Sequence, residues 1–314
     1  MANEHAKCLK SLGVNISSVI SSEGSKTIDK FMSSYNIKKR FLNLEDALSD
    51  EDSWDAAIIC CSEEFIFSYL EKLAKTTKPL LAEKPISSNL KELEKLIPYK
   101  NIKVGFNRRF YTNILYLKTE LEKKKVDLVK VCIPESSIKD RLATKRSLPR
   151  QVYSNSIHLF DLLFFLFGDI SWHASIQSRT VKSLRSCSLL GLNEEKINFS
   201  LDLPFDYPDN FSITIYADES MYVLKPLEIL KIYKGMDIQE PLDQIPHRIY
   251  KPRLRSSIIA EPNQNLKTGL LEQDKSFIEF CKSEQSDLSL ASVVDVEAAL
   301  NSIIKIENLI KVIS

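Results

Sequence analysis

Glycine is scarce in this chain. There are seven in 314 residues, and none fall in the spacing G-x-G-x-x-G. An excess of one charge is also lacking: 43 basic and 42 acidic side chains leave a formal net charge of +1. No positive field exists to draw the chain onto nucleic acid or an acidic membrane surface. Long hydrophobic runs are missing too. The most apolar stretch, "LLFFLFG" at 162–168, is far short of the roughly 20 residues that span a bilayer. The opening "MANEHAKCLKSLG" is polar and has no apolar centre of the kind a secretion signal needs. Six cysteines (Cys8, Cys60, Cys61, Cys132, Cys187 and Cys281) include no CxxC pair and no His/Cys cluster at zinc-ligand spacing. No metal site is expected. Cys60 and Cys61 stand side by side in an apolar run and read as core residues of a reduced protein. These absences together describe a cytoplasmic protein with no nucleic-acid or membrane partner.

What is present is a globular composition, 44% hydrophobic and 27% charged, over a length that allows one large or two ordinary domains. The first hundred residues alternate between two periods. Helices are expected over 5–12, 25–35, 43–50, 64–75 and 88–97. Strands are expected over 14–21, 38–42, 55–61, 79–82 and 102–106. "DAAIICC" at 55–61 is a continuous apolar run, the mark of a strand buried on both faces. Strands alternating with helices at this spacing imply βαβ units and a parallel sheet. After Arg109 the rhythm changes. A helix at about 113–124 leads into "VDLVKVCIP", a very apolar helix follows at about 156–167, and strand-like segments cluster at 197–203, 210–217, 220–226 and 228–233. That half reads as an α+β layer with a mostly antiparallel sheet. Residues 238–266, rich in Pro, Arg and Ser, look like an extended connection. The domains expected are therefore 1–106 and 107–265, with closing helices over 266–314 packing back on the body.

Three segments carry candidate chemistry. "KPLLAEKPIS" (78–87) ends a predicted parallel strand in Glu83, Lys84 and Pro85. In open α/β sheets ligands bind outside that edge. A lysine there can reach a ligand and the glutamate can steady its ammonium, although any strand can end in a charged pair. "YSNSIHLFDLLFFLFG" (153–168) offers Ser154, Asn155 and Ser156 as caps at a helix start. His158 then falls in the first turn, with Asp161 on the same face. This is either a satisfied core histidine or a proton shuttle. "VGFNRRF" (104–110) places Asn107, Arg108 and Arg109 after a buried strand, which suits an anion or a structural ion pair. The densest basic stretches, "EKKK" at 122–125 and "KDRLATKRSLPR" at 139–150, read as solvated segments, the second with the alternative of meeting a phosphate or carboxylate.

In this order the three segments closely resemble the glucose–fructose oxidoreductase/inositol dehydrogenase/rhizopine catabolism family (Gfo/Idh/MocA), and the resemblance runs through "LKPLEILKIYKGM" (224–236) to the closing helices. It implies a Rossmann-like first domain, an NAD or NADP cofactor and a sugar, nucleotide-sugar or cyclitol substrate oxidised or reduced by hydride transfer. Lys84 would face nicotinamide and substrate, and His158 would move the hydroxyl proton. Asp161 would contact substrate or steady His158. Pro85 would keep the turn that presents Lys84. Ser22 and Glu23, Cys61 and Ser62, Glu83, Asn107 and Arg108 would line the cofactor. The sheet of the second domain would support a homo-oligomer.

The chain departs from that family at several points. "NEHAKCLKSLG" matches the family's first helix, with His5 in the usual place, but the strand and Gly-rich loop that should precede it are not in the sequence. That loop brings backbone N–H groups to a pyrophosphate. Without the strand, the 14–21 and 55–61 strands lose a shared partner. Either they close up, or the domain is unstable, or the start is internal to a longer natural chain, and the last is the expectation. Ser154 and Ile66 stand where the family often has an aspartate and a histidine. A non-catalytic relative serving as a sugar-binding or oligomerisation module is the alternative.

Overall fold

The run "LLAE" becomes the strand around which the first half is built. Leu80, Leu81 and Ala82 are each fully buried, on a strand with parallel partners at both edges. The computed structural model describes residues 1–136, 150–179, 184–260, 265–282 and 292–313. The basic stretch at 139–149 lies outside them. The chain divides into two units: Met1–Phe110 with Pro262–Ile304, and Tyr111–Glu261 with Lys305–Ser314.

In chain order the first unit holds α1 (Ala2–Ser11), β1 (Ser18–Ile20), α2 (Ile28–Tyr35), β2 (Lys39–Phe41), α3 (Leu44–Ser49), β3 (Ala57–Ile59), α4 (Glu63–Leu73), β4 (Leu80–Glu83), α5 (Leu90–Leu96) and β5 (Ile102–Gly105). A 3-10 turn at Asn107–Phe110 closes this run. Helix α1 ends at Gly13, whose φ of 70° is the left-handed conformation that stops a helix. Strands β3, β4 and β5 form one parallel sheet, and β1 pairs with β2 in another. The two sheets share no hydrogen-bonded ladder, so β1 and β3 have not closed up on one another. Ile66 is a buried core residue of α4.

The second unit holds α6 (Thr112–Leu121), β6 (Val126–Cys132), α7 (Arg150–Ser154), α8 (Ile157–Phe167), β7 (Ile170–Arg179), β8 (Leu184–Asn193), β9 (Asn198–Pro204), β10 (Ser212–Ala217), β11 (Ser220–Leu224), β12 (Ile229–Gln239) and β13 (Ile249–Ile259). Its strands form one sheet in the order β13-β12-β11-β10-β6-β9-β8-β7. Every recorded pairing is antiparallel except β6 with β9. One expectation is corrected here, and two segments that had no assigned element gain one. The segment 126–132 is a central strand, and 170–193 supplies two long strands that the sequence reading left unassigned. Residues 249–259 form a strand rather than a loose connection. Pro252 obscured it, yet β13 is an edge strand, where a missing N–H costs no ladder bond if it faces outward.

Two helices complete the chain, α9 (Leu270–Cys281) and α10 (Val296–Ile313). Leu270, Gln273, Asp274 and Phe277 are the buried residues of α9, a spacing of three and four that gives one inward face. Two of the four are polar. No helix among the described residues is long and apolar enough to cross a membrane.

Because Leu81 is 0% exposed between two strands, Leu81→Ala is expected to cost about 2–5 kcal/mol. Equilibrium urea unfolding followed by circular dichroism measures it, and a loss well under about 1 kcal/mol would contradict this account of the core.

Candidate active site

The polar residues on α9 face a histidine on α1. His5 Nδ1 lies 2.8 Å and 3.0 Å from the two carboxylate oxygens of Asp274. Its Nε2 lies 3.0 Å from Glu83 Oε1. His5 is 2%, Asp274 0% and Glu83 8% exposed. A neutral imidazole has one N–H and could donate to only one of these carboxylates. The arrangement is therefore satisfied by an imidazolium donating from both nitrogens. Burial alone would push His5 down. Its hydrogen bonding to Asp274, Cys60 and Glu83 outweighs this and raises the imidazole to about 12. Burial pushes the Asp274 carboxyl above its ordinary value, against the pull of His5.

The triad ties three separate pieces of chain to the exit of β4. Glu83 is the last residue of that strand, and Lys84 follows it half-buried, joined to Pro85 by a cis peptide. The next turn is locked by its own side chains. Ser87 Oγ donates to Glu92 at 2.5 Å and accepts from the Asn89 N–H at 2.9 Å. Asn89 caps α5, accepting from the Lys91 N–H. Lys84 thus leaves a rigid strand and enters a rigid turn.

The other exits of the parallel strands carry the remaining residues picked from sequence. After β1, Ser21 Oγ accepts from Arg40 Nε at 3.0 Å, and the carbonyls of Ser22 and Glu23 accept from Arg40 Nη2. After β3, burial pushes the Cys61 thiol up, so it is not a thiolate at neutral pH. Ser62 occupies the N-cap of α4 and donates to Glu64 at 3.2 Å. After β5, the Asn107 amide donates to the Thr268 carbonyl at 3.0 Å, which fixes the segment leading into α9. Arg108 stands beside it, half-buried.

In the second unit His158 and Asp161 sit one turn apart on α8 and are 6% and 1% exposed. His158 lies in the first turn, its N–H donating to the Asn155 carbonyl at 3.3 Å. The expected side-chain caps are corrected: Ser156 is the N-cap, but its hydroxyl makes no cap bond. It bonds instead to Glu135, as does the Asn155 amide at 3.2 Å. Tyr153 donates to Glu307 at 2.9 Å. Glu135, Asp274 and Arg40 are residues that sequence reasoning missed. Glu135 had a signal: "CIPE" ends a strand in an acid, just as "LAE" does.

Residues 1–101 match the family described as an oxidoreductase family with an NAD-binding Rossmann fold, Gfo/Idh/MocA. No curated protein matches the chain in sequence. Among solved structures it is similar to the UDP-N-acetylglucosamine 3-dehydrogenase GnnA from Acidithiobacillus ferrooxidans, at 14% identity and a TM-score of 0.71, covering 99% of this chain and 93% of that one. It is also similar to the WlbA dehydrogenase from Bordetella pertussis in complex with NADH and UDP-GlcNAcA, at 13% identity and 0.70, covering 99% and 92%. A levoglucosan dehydrogenase in complex with NADH and levoglucosan shares 12% identity, with a TM-score of 0.72 over 99% and 94%. The first 101 residues thus match the Gfo/Idh/MocA family model, and the whole chain shares the fold of these solved structures.

The triad makes stability depend on pH in a definite direction. A histidine raised from 6.5 to about 12 adds stability that is full below pH 6.5 and is lost as pH rises toward about 12. Urea midpoints of the parent should fall across that window, by up to about 1.4 kcal/mol per pH unit from this group. Asp274→Asn should flatten the slope, and Asp274→Ala should cost about 3–5 kcal/mol at pH 7 by stranding the imidazolium. Parallel pH profiles for parent and Asp274→Asn would show His5 to be neutral.

Proposed function

We propose that the chain is an NAD(P)-dependent oxidoreductase acting on a hydroxyl or carbonyl of a sugar, nucleotide sugar or cyclitol. The observation that carries this reading is the half-buried Lys84 at the exit of a strand buried on both faces, with the preceding Glu83 drawn into the His5–Asp274 triad. In parallel α/β sheets that edge receives dinucleotides. The residues present suit the two ends of such a cofactor. Ser22, Glu23 and the Arg40 guanidinium suit its adenosine ribose, and Cys61, Ser62, Glu83, Lys84 and Pro85 suit its nicotinamide, with Asn107 and Arg108 at the next exit. No strand exit among the described residues of the first unit carries a G-x-G-x-x-G turn.

When bound, the nicotinamide supplies or accepts the hydride. The Lys84 ammonium donates a hydrogen bond to the substrate oxygen and stabilises negative charge that develops there. His158 takes the hydroxyl proton during oxidation and returns it during reduction. Asp161, on the same face of α8, steadies the imidazole or contacts substrate. Glu135 holds Ser156 and Asn155, and so fixes the start of the helix that carries His158.

A homo-oligomer is part of the same proposal. In the β12–β13 ribbon, Ile238 pairs with Tyr250 and Met236 with Pro252, and alternation puts Leu254 on that face too. Ile238, Tyr250, Met236 and Leu254 are each about half exposed, at 56%, 58%, 47% and 51%. A two-stranded ribbon is marginal alone in water, and this apolar stripe is suited to a second copy. Light scattering on Ile238→Asp should report a smaller assembly than the parent, and an unchanged mass would remove this support.

Lys84→Ala and His158→Ala should each lower kcat/KM by about 10²–10⁴-fold, measured by NAD(P)H absorbance against a panel of nucleotide sugars, free sugars and inositols. Circular dichroism should stay that of the parent. A Lys84→Ala protein as active as the parent would refute the assignment.

A further inference from the structure

The exit of β1 holds an arrangement that the Lys84 and His158 chemistry does not use. Arg40 on β2 pairs in register with Val19 on β1. Its side chain then reaches forward past the strand end. Nε donates to Ser21 Oγ at 3.0 Å, and Nη2 donates to the carbonyls of Ser22 at 2.6 Å and Glu23 at 3.3 Å. Ser21 is itself fixed to β2, its N–H donating to the Phe41 carbonyl at 3.1 Å.

This clamp decides which groups the strand exit can offer. A ribose 2′-hydroxyl needs an acceptor, ordinarily a carboxylate at this position. Here the first two residues past β1 are serines, and the nearby carbonyls of Ser22 and Glu23 each already accept from Arg40. The one carboxylate on this turn, Glu23, is exposed. Donors, in contrast, are plentiful. Ser21 Oγ accepts from Arg40, which leaves its proton to give outward. Ser22 is exposed, and the Nη1 side of the guanidinium lies outside the three clamp contacts. Arg40 is half-buried, and exposed Lys26 adds a second positive charge on the same loop. A planar guanidinium held in a fixed place suits a phosphate better than a mobile ammonium does.

We infer that this exit selects a 2′-phosphorylated adenosine, so that the cofactor is NADP(H), with Arg40 as the specificity-determining residue and Ser21 and Ser22 as its co-donors. The inference rests on the dinucleotide reading above and adds to it which dinucleotide is bound.

Isothermal titration of the full chain with adenosine 2′,5′-bisphosphate and with adenosine 5′-monophosphate tests it, alongside fluorescence titration with NADPH and NADH. The 2′-phosphorylated member of each pair should bind at least about tenfold tighter, a difference of about 1.4 kcal/mol. In Arg40→Ala the ratio should fall to about one, and Arg40→Lys, which keeps charge without the fork, should fall between. Ser22→Asp, which leaves the clamp residue in place, should reverse the preference and serves if Arg40→Ala does not fold. Equal binding of both members by the parent, or a tenfold ratio retained without Arg40, would overturn the inference and leave the dinucleotide reading standing. Failure of all four compounds to bind would overturn both.

Discussion

An imidazolium between two buried carboxylates sets the frame of the first unit. His5 comes from the first helix, Glu83 from the central strand of its sheet and Asp274 from a helix nearly two hundred residues later. Burying charge is expensive, and an ion pair in a core often adds no stability over an apolar replacement. What it does add here is direction. The imidazole is held through both nitrogens, so the ring has one orientation, and the buried Glu83 carboxylate is drawn to it. Lys84, the next residue, stands half-buried at the bend where the strand ends. The cost in desolvation is met by fixing the presentation of one cation.

A similar device recurs in the second unit. Glu135 leaves the β6 strand just as Glu83 leaves β4, and it too is buried, at 7%. Its partners are neutral donors, the Ser156 hydroxyl and the Asn155 amide. A carboxylate that gathers donors from the residues just before α8 holds the start of that helix in place, and with it the first-turn position of His158. In both units an acid at or just past a strand end belongs to the scaffold.

Much of this was legible in the sequence and some could not be. Strands β3 and β4 announced themselves as apolar runs, as parallel strands covered on both faces do. "EKP" and the His158 helix stood out because charge was set into apolar surroundings. Strand β13 did not, because its short alternation of Tyr250 and Leu254 with basic residues is broken by Pro252, which argued against a strand. Asp274 was hidden for another reason: on a helical period it is one more polar letter in "LLEQDKSF", and only the fold brings it to His5. Ser156 was read as a helix cap by local rules, and a long-range acceptor took its hydroxyl instead. Local chemistry was readable wherever partners are close in sequence, and was lost where the partner comes from elsewhere.

The parallel strands of the first unit lie in two ladders, β1–β2 and β3–β4–β5, with no hydrogen bond joining them. Strand pairing therefore cannot be what holds β1 and β2 to the rest. The buried faces of the helices and the side-chain bonds between segments must carry that load. Helix α1 contributes His5 to the β4 exit and packs Cys8 against Leu266 and Leu270, so it is anchored to the three-stranded ladder and to α9 together. On the other side Tyr35 of α2 donates to Asn3 of α1 at 2.8 Å. The path from the Arg40 clamp to Lys84 thus runs through α1 rather than through a continuous sheet. Any substitution that loosens His5 therefore acts on both strand exits, through one helix.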